Sequence, residues 1–422
     1  MVKAHRIKLL LIYTLCPLIL FISVQKTYDF IQQWRIASIL TNISINNSNK
    51  EKIAPQELFL HSWFLVGAGY WDADLNGQKW GRWKKRYLDV IETDEDATLA
   101  INTMLASLND PYSKFLSAED FSEQNSVLDS KFFGIGVNIA SISGKAYIMG
   151  VIKGAPAELA GIKPGDILLK VNNVDIGGKT MFEIAKYIKG GGAPGSVELE
   201  VLRGGQKLVR KMKREEIKIK SVESSMLSKE VGYIRILSFI SQETPYEFVG
   251  AMNAIKHSEV LILDLRGNSG GLFQNALFVA DMFLPNGPIV DVIGRDGSHS
   301  KFVATNKAHG GWFWEKPLVV LVDGESASAS EIVSGALKDH KRAKLVGEQT
   351  FGKGLVQKIF MMPNETGMNL TIARYLTPLG EDINHKGIAP DYMVEQPEQH
   401  AIKGKDSQLE FALSIAQAEL EK

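Results

Sequence analysis

Residues 317–357 read PLVVLVDGESASASEIVSGALKDHKRAKLVGEQTFGKGLVQ. The short apolar run 318–322 is β-branched enough for a buried strand, and Asp323-Gly324 turns it into a serine-rich loop. Residues 331–338 follow with helical spacing, placing Ile332, Val333, Ala336 and Leu337 on one side. A second apolar run, 344–346, leads to Gly352-Lys353-Gly354. The order is strand, serine turn, helix, strand, lysine, which is a crossover unit of a parallel sheet. If the first strand points up, Ser328 starts the helix at the top, the helix descends, and the returning strand lifts Lys353 to the same end. A similar unit precedes it: strand 260–265, the turn Asp264-Leu265-Arg266-Gly267-Asn268-Ser269-Gly270-Gly271, then helical spacing over 272–284. Open α/β sheets build their sites at the carboxyl ends of such strands, so these loops are expected to converge.

That convergence has a chemistry. A serine hydroxyl is a weak nucleophile until a neighbour takes its proton. A lysine, with an unperturbed pKa of about 10.4, can do so only when its ammonium is destabilised, and lowering it to between about 7 and 8 corresponds to roughly 4 kcal/mol. Burial among Phe351 and Leu355 is the expected source. Ser328 and Lys353 are therefore read as a hydrolytic pair. The helix start at Ala329 and the turn at Gly270 and Gly271 would supply N–H donors to an oxyanion.

The rest of the chain frames this pair. At 422 residues, with 45% hydrophobic and 23% charged, it is a multidomain globular protein. Lys+Arg and Asp+Glu balance at 48 each, which gives nucleic acid no electrostatic claim as a partner. The single cysteine, Cys16, excludes an intrachain disulfide. Lys3, His5, Arg6 and Lys8 precede 16 mostly apolar residues, 9–24, the form of a signal peptide or signal anchor over 1–25. Its helical length of about 24 Å is short for a hydrocarbon core of about 30 Å. No clean cleavage site follows, so an uncleaved, outward-facing membrane anchor is the favoured reading. Residues 26–54 are an Asn-rich linker.

Residues 55–125 form a small helical domain. Asp94-Glu95-Asp96 leads an amphipathic helix carrying Leu99, Ile101, Met104, Leu105 and Leu108, which stops at Asn109-Asp110-Pro111. Over 126–215 the texture becomes short β-prone runs divided by glycine, with Gly161-Ile162-Lys163-Pro164-Gly165-Asp166-Ile167-Leu168 as turn then strand and Arg203-Gly204-Gly205-Gln206 as a hairpin turn. With the loop Phe133-Gly134-Ile135-Gly136-Val137, this stretch resembles a PDZ domain of the circularly ordered bacterial type. Closely spaced glycines let backbone N–H groups converge on a peptide's terminal carboxylate, and the following strand offers an edge for β-augmentation. Residues 216–400 form the α/β core, and 401–422 end in a helix with no chemistry assigned.

A wider resemblance follows. Ser326-Ala327-Ser328-Ala329-Ser330-Glu331, Phe351-Gly352-Lys353-Gly354 with Gln357, and Asp264-Leu265-Arg266 through Gly270-Gly271 are similar to the carboxyl-terminal processing, or tail-specific, serine peptidases. Asp74-Leu75-Asn76-Gly77 with Trp80, and Leu108-Asn109-Asp110-Pro111-Tyr112-Ser113, extend the match across about residues 57–395. The resemblance implies a multidomain α/β protein: an N-terminal helical domain, a β-rich PDZ domain and a crotonase/Clp-protease-like α/β catalytic core. It makes Ser328 the nucleophile, Lys353 the base and Gln357 the residue that orients the lysine. Gln357 meets Lys353 if the segment forms a helical turn, but in a strand it lies about 13 Å away. Asp339 resembles an acidic residue implicated in some relatives. Eleven residues beyond Ser328 on a helix it lies about 16 Å along the axis, so a structural ion pair is the expectation. Glu331, one turn from Ser328, either shapes the site or caps the helix start.

The implied enzyme is an exported serine endopeptidase that reads protein C-termini and removes C-terminal extensions or tail-tagged chains. Its place is the bacterial periplasm or cell envelope, with or without an inner-membrane anchor, or the thylakoid lumen in a photosynthetic source. Peptide or protein substrates are the partners, an adaptor or envelope partner is left open, and no cofactor or metal is expected. Other readings are weaker. Gly347-Glu348-Gln349-Thr350-Phe351-Gly352-Lys353 fits a P-loop, but Gly354 stands where Ser or Thr must hold magnesium. Of the eight histidines none follows a G-x-S-x-G elbow at Ser328, and no H-E-x-x-H exists. A PDZ-bearing envelope scaffold with an inactive core is opposed by the intact Ser328, Lys353 and paired glycines. The insert Lys307-Ala308-His309-Gly310-Gly311-Trp312-Phe313-Trp314 is a candidate wall of the substrate channel, with no role assigned.

Overall fold

The computed structural model describes residues 52–421, apart from 129–130, 143, 191–194, 219, 307–312 and 398–404. The expected signal or anchor over 1–25, and nearly all of the linker, lie outside the described residues. Among the described residues no helix is long and apolar enough to cross a membrane.

Three helices come first: α1 (Pro55–Gly69), α2 (Gly81–Tyr87) and α3 (Asp94–Ala106). A capping box starts α3, in which Thr93 Oγ1 accepts from the Asp96 N–H at 3.1 Å and the Asp96 carboxylate accepts from the Thr93 N–H at 3.0 Å. Strand β1 (Lys114–Leu116) and helix α4 (Ala118–Leu128) follow. The helical layer does not close its own core. Phe59, Ile101 and Met104 pack with Met362, Met368 and Leu370 from far along the chain. The helical layer expected over 55–125 therefore shares its core with residues of the later α/β part of the chain.

The next unit holds β2 (Lys131–Gly134), β3 (Val137–Ile142), β4 (Lys145–Val151), α5 (Pro156–Leu159), β5 (Ile167–Val171), β6 (Val174–Asp175), α6 (Met181–Lys189), β7 (Gly195–Arg203) and β8 (Gln206–Lys218). Its sheet runs β2-β8-β7-β5-β4-β3, with β6 on β5. It has a separate core, built on Ile148, Ile184 and Leu199. β3 sits at the end of that order, so one of its edges is unpaired within the sheet.

The remainder is α/β: β9 (Val222–Met226), β10 (Val231–Ile236), α7 (Thr244–Ala254), β11 (Val260–Asp264), α8 (Phe273–Asp281), β12 (Gly287–Gly294), β13 (His299–Ala304), β14 (Leu318–Val322), α9 (Ala329–Asp339), β15 (Lys344–Gly347), β16 (Leu355–Met361), β17 (Gly367–Leu376), β18 (Tyr392–Met393) and α10 (Ser407–Leu420). One sheet has the order β18-β15-β14-β11-β10-β9 and is parallel except for β9. β11 and β14 are buried at every residue, as strands covered on both faces must be. Ala412 and Ala416 of the terminal α10 cover one face against Ile262 and Leu321, while α7, α8 and α9 cover the other. A second, antiparallel sheet runs β1-β17-β12-β13, with β16 also on β17. Through the β1–β17 pairing, Lys114 opposite Asn369, the N-terminal layer is stitched to the strand that passes beneath the site.

Candidate active site

β11, β14 and β15 end together, with Asp264 opposite Leu321 and Val322 opposite Gly347, so their loops leave from one edge of the sheet. There Ser328, Ala329, Gly270, Gly271, Lys353 and Gln357 line one cavity of about 440 Å³. Tyr112, Lys114 and Tyr375 line it too.

The serine repeat is sorted by its hydrogen bonds. Ser326 is buried and its hydroxyl donates to the Leu265 carbonyl at 2.9 Å. Ser330 is buried and donates to the Asn268 carbonyl at 2.8 Å. Both fasten the β14 loop to the β11 loop, and only Ser328 of the three faces the cavity. Ser328 itself has φ 55° and ψ −110°, backbone angles that cost a residue with a side chain about 1–3 kcal/mol. Its surroundings impose them. The buried Glu331 carboxylate, 1% exposed, accepts from the Ser328 N–H at 2.8 Å. The same carboxylate accepts from the Lys353 N–H at 2.9 Å, the Gly352 N–H at 2.6 Å and the Thr350 hydroxyl at 2.6 Å. Glu331 is thus both the cap of α9 and the clasp between the serine and lysine segments. Tyr375, fully buried, repeats the clasp from below: its phenol donates to the Lys353 carbonyl at 2.7 Å and stands 3.2 Å from that of Ser328.

Lys353 lies between two glycines because the chain passes too close for side chains. A Cβ at Gly352 would meet the Gly387 nitrogen at 2.7 Å, and one at Gly354 would meet Asn384 at 3.0 Å. Burial pushes the Lys353 ammonium below its ordinary range; the Asp110 and Glu331 carboxylates oppose that, and Lys114 reinforces it. The burying group differs from the expected one. Phe351 is 56% exposed and contributes no cover, whereas Leu355 is buried, and the lysine Nζ stands 4.4 Å from the centre of the Tyr112 ring.

The paired glycines divide the work. Gly270 cannot be a free donor, since its N–H reaches Asn268 Oδ1 at 2.9 Å. Its contribution is room: at φ 100°, a Cβ there would lie 2.9 Å from Ser328 Cβ. Gly271, at φ 147°, would drive a Cβ to 2.2 Å from the Phe239 backbone. Among the described residues the N–H groups of Gly271 and Ala329 have no partner within the chain, leaving both available to a ligand oxygen in the cavity. The loop is braced from outside, where buried Asp264 takes the Arg266 guanidinium and Asp406 at the start of α10 takes it a second time.

Gln357 and Asp339 are placed by their elements. Gln357 lies in strand β16 and not in a helical turn, next to a bulge between Val356 and Gln357, and its amide donates to Thr371 Oγ1 at 3.3 Å. It lines the cavity, and among the described residues no hydrogen bond joins it to Lys353. Asp339, at the far end of α9, makes no ion pair among the described residues and instead accepts the Leu379 N–H at 2.9 Å. Residues 307–312 of the insert lie outside the described set, and Phe313 and Trp314 line a different cavity, with Tyr246 and Met252. In the β-rich unit, Phe133 and Gly134 end β2, Val137 starts β3, and Ile135 and Gly136 form the turn between them. Gly136 has φ 73°, and a Cβ there would strike Ala155 at 2.3 Å. Sequence reasoning missed Tyr375, and it quoted Asn268, Thr350, Asp110 and Tyr112 without giving them a role, because their partners are distant in sequence.

Comparisons with known proteins bear on the whole arrangement. The family described as peptidase family S41 matches residues 230–394, and a PDZ domain matches 147–203. The carboxyl-terminal-processing protease of Synechocystis sp. is 36% identical over 353 residues, covering 81% of each chain. The chloroplastic carboxyl-terminal-processing peptidase 2 of Arabidopsis thaliana is 33% identical over 363 residues, 79% of this chain and 68% of the other. Among solved structures, the photosystem II D1 C-terminal processing protease is similar with a TM-score of 0.56 at 30% identity, over 81% of this chain and 94% of that one.

Proposed function

The chain belongs to the carboxyl-terminal-processing proteases of peptidase family S41, serine-type peptidases with a PDZ domain, and from that premise we propose that it is an exported endopeptidase working through Ser328 and Lys353 on chains held by their C-termini. The observation that carries this reading is the sorting of the serine repeat: two hydroxyls are buried in structural bonds, and the third shares a cavity with a half-buried lysine.

In this reading neutral Lys353 takes the Ser328 hydroxyl proton as Oγ attacks the scissile carbonyl. The resulting oxyanion is met by the N–H groups of Gly271 and Ala329, at the positive end of α9. Collapse expels the amine, which takes its proton from Lys353, and water then releases the acyl group by the same route. Glu331 and Tyr375 hold serine and lysine backbones in register. The substrate's terminal carboxylate is captured at the 133–137 turn, and its last residues add a strand to the open edge of β3. Export is inferred from the basic then apolar start of the chain. The physiological substrate is left open between a reaction-centre precursor, an envelope hydrolase and tagged or damaged exported proteins.

The test is cleavage of a peptide with an apolar C-terminus. Wild type is expected to cut the free acid well and its C-terminal amide at least about tenfold less efficiently, since the amide loses the charge that the turn receives. Ser328→Ala should cut neither. Equal rates on acid and amide overturn the carboxylate reading, and undiminished cleavage by Ser328→Ala overturns the nucleophile.

A further inference from the structure

The turn Asp110-Pro111-Tyr112-Ser113 belongs to the N-terminal helical layer, yet it closes one wall of the cavity at Lys353. It is a built fixture. The Asp110 carboxylate accepts from the Tyr112 N–H at 2.9 Å, the Ser113 hydroxyl at 2.6 Å and the Thr371 hydroxyl at 2.7 Å. Ser113 Oγ in turn accepts from the Thr371 N–H at 3.1 Å. These bonds lock the turn to β17, and the aromatic ring it presents lies within cation–π range of the lysine Nζ, at 4.4 Å. Among the described residues no hydrogen bond or ion pair reaches that Nζ, which leaves the ring as the contact that meets its charge directly.

We propose that Tyr112 is a positioning residue of the catalytic site, its ring being the seat on which Lys353 becomes an ammonium as it takes the Ser328 proton. The inference rests on the Ser328–Lys353 reading given above. Its logic is one of magnitude. A carboxylate in direct contact would hold the lysine permanently charged and abolish the base. A ring quadrupole favours the cation less strongly, so burial still keeps the neutral form within reach while the developing charge has somewhere to rest. The other groups around the lysine are the Asp110 and Glu331 carboxylates, the Lys114 cation and the phenols of Tyr112 and Tyr375. Asp110 and Lys114 share the segment of Tyr112 while Glu331 and Tyr375 come from others, so the seat is altered by side-chain substitutions that keep the Asp110 bonds to Ser113 and Thr371 in place. On this account the N-terminal layer is part of the catalytic site, which explains why its core and β1 are fused to β17.

The measurement is kcat/KM against pH on the free-acid peptide, using the full chain. A lysine base gives a rate that rises with pH as Nζ loses its proton. Tyr112→Phe keeps the ring face, so its rising limb should lie within about 0.2 pH unit of the wild-type position, whatever the plateau. A trifluorinated phenylalanine at 112 keeps the shape and withdraws π density, so the rising limb should move to lower pH by about half a unit, with a severalfold lower plateau. Tyr112→Leu should move it at least as far in the same direction. A limb that stays in place or moves to higher pH in the fluorinated and leucine variants overturns the proposal, however far the rate falls, because a merely structural role changes amplitude alone. Lys353→Ala, expected to be inactive, separates the two readings: wild-type rates in that variant would remove the dyad itself, whereas a dead Lys353→Ala with an unmoved limb removes only the seat.

Discussion

β11 and β14 are parallel neighbours, each buried throughout and each handing a loop to the same edge, but the two loops obtain their unusual backbone in different ways. After β11, φ is positive at Gly267, Gly270 and Gly271, where the residue type permits it at no steric cost. After β14, φ is positive at Ser328, where the residue type resists it and Glu331, Tyr375 and the Asn268 contacts impose it. A loop shaped by glycine provides space and, at Gly271, an N–H with no partner among the described residues. A loop shaped by strain provides a side chain held where an unconstrained serine would not stay. The first kind is visible in a sequence, because glycine announces itself; the second is visible only as the set of distant partners that hold it.

Substitution can test that difference, and the largest effect belongs to the glycine loop. Gly271→Ala places a Cβ 2.2 Å from the Phe239 backbone, so kcat/KM should fall by at least about 10³-fold, with a lowered melting temperature. A variant that crystallises with an unmoved loop and retains its rate would show that space is not what this loop supplies. Next is Glu331→Gln, which preserves shape but replaces a charged acceptor of four bonds by an amide. It should lose about 2–3 kcal/mol of stability by urea unfolding and about a hundredfold in kcat, the rate loss exceeding what melting explains. Full activity with lowered stability would reduce Glu331 to a helix cap. Smallest is Asp339→Ala on the same helix, where one backbone bond is lost: about 1 kcal/mol or less, with kcat/KM within about twofold of wild type.

The same contrast explains what could be read beforehand. The strands, the crossover order and the meeting of Ser328, Lys353 and the glycines at one edge follow from hydrophobic runs and from the geometry of parallel sheets, which are local or topological facts. The roles of Gln357 and Lys353's neighbours were not legible in this way. Whether 353–357 turns or extends is decided by the antiparallel pairing of β16 with the next strand, β17, and not by the residues of 353–357 themselves, and extension carries the Gln357 amide to Thr371. Phe351 is next to the lysine in sequence and faces solvent, while Tyr112, some 240 residues earlier, faces the lysine. The N-terminal layer likewise reads as a separate helical domain because its dependence on Met368 and Leu370 is a packing fact with no local signature.

The central claim is that Ser328 is acylated with Lys353 as its base. Intact mass spectrometry after timed exposure to a serine-acylating probe, across a range of pH, measures this directly. The account predicts a single adduct, mapped to Ser328, whose rate of formation rises with pH to a midpoint below the ordinary lysine range, as the partial burial of the ammonium requires, and which does not form in Lys353→Ala. An adduct on another residue, or labelling of Ser328 at the wild-type rate when Lys353 is alanine, would contradict it.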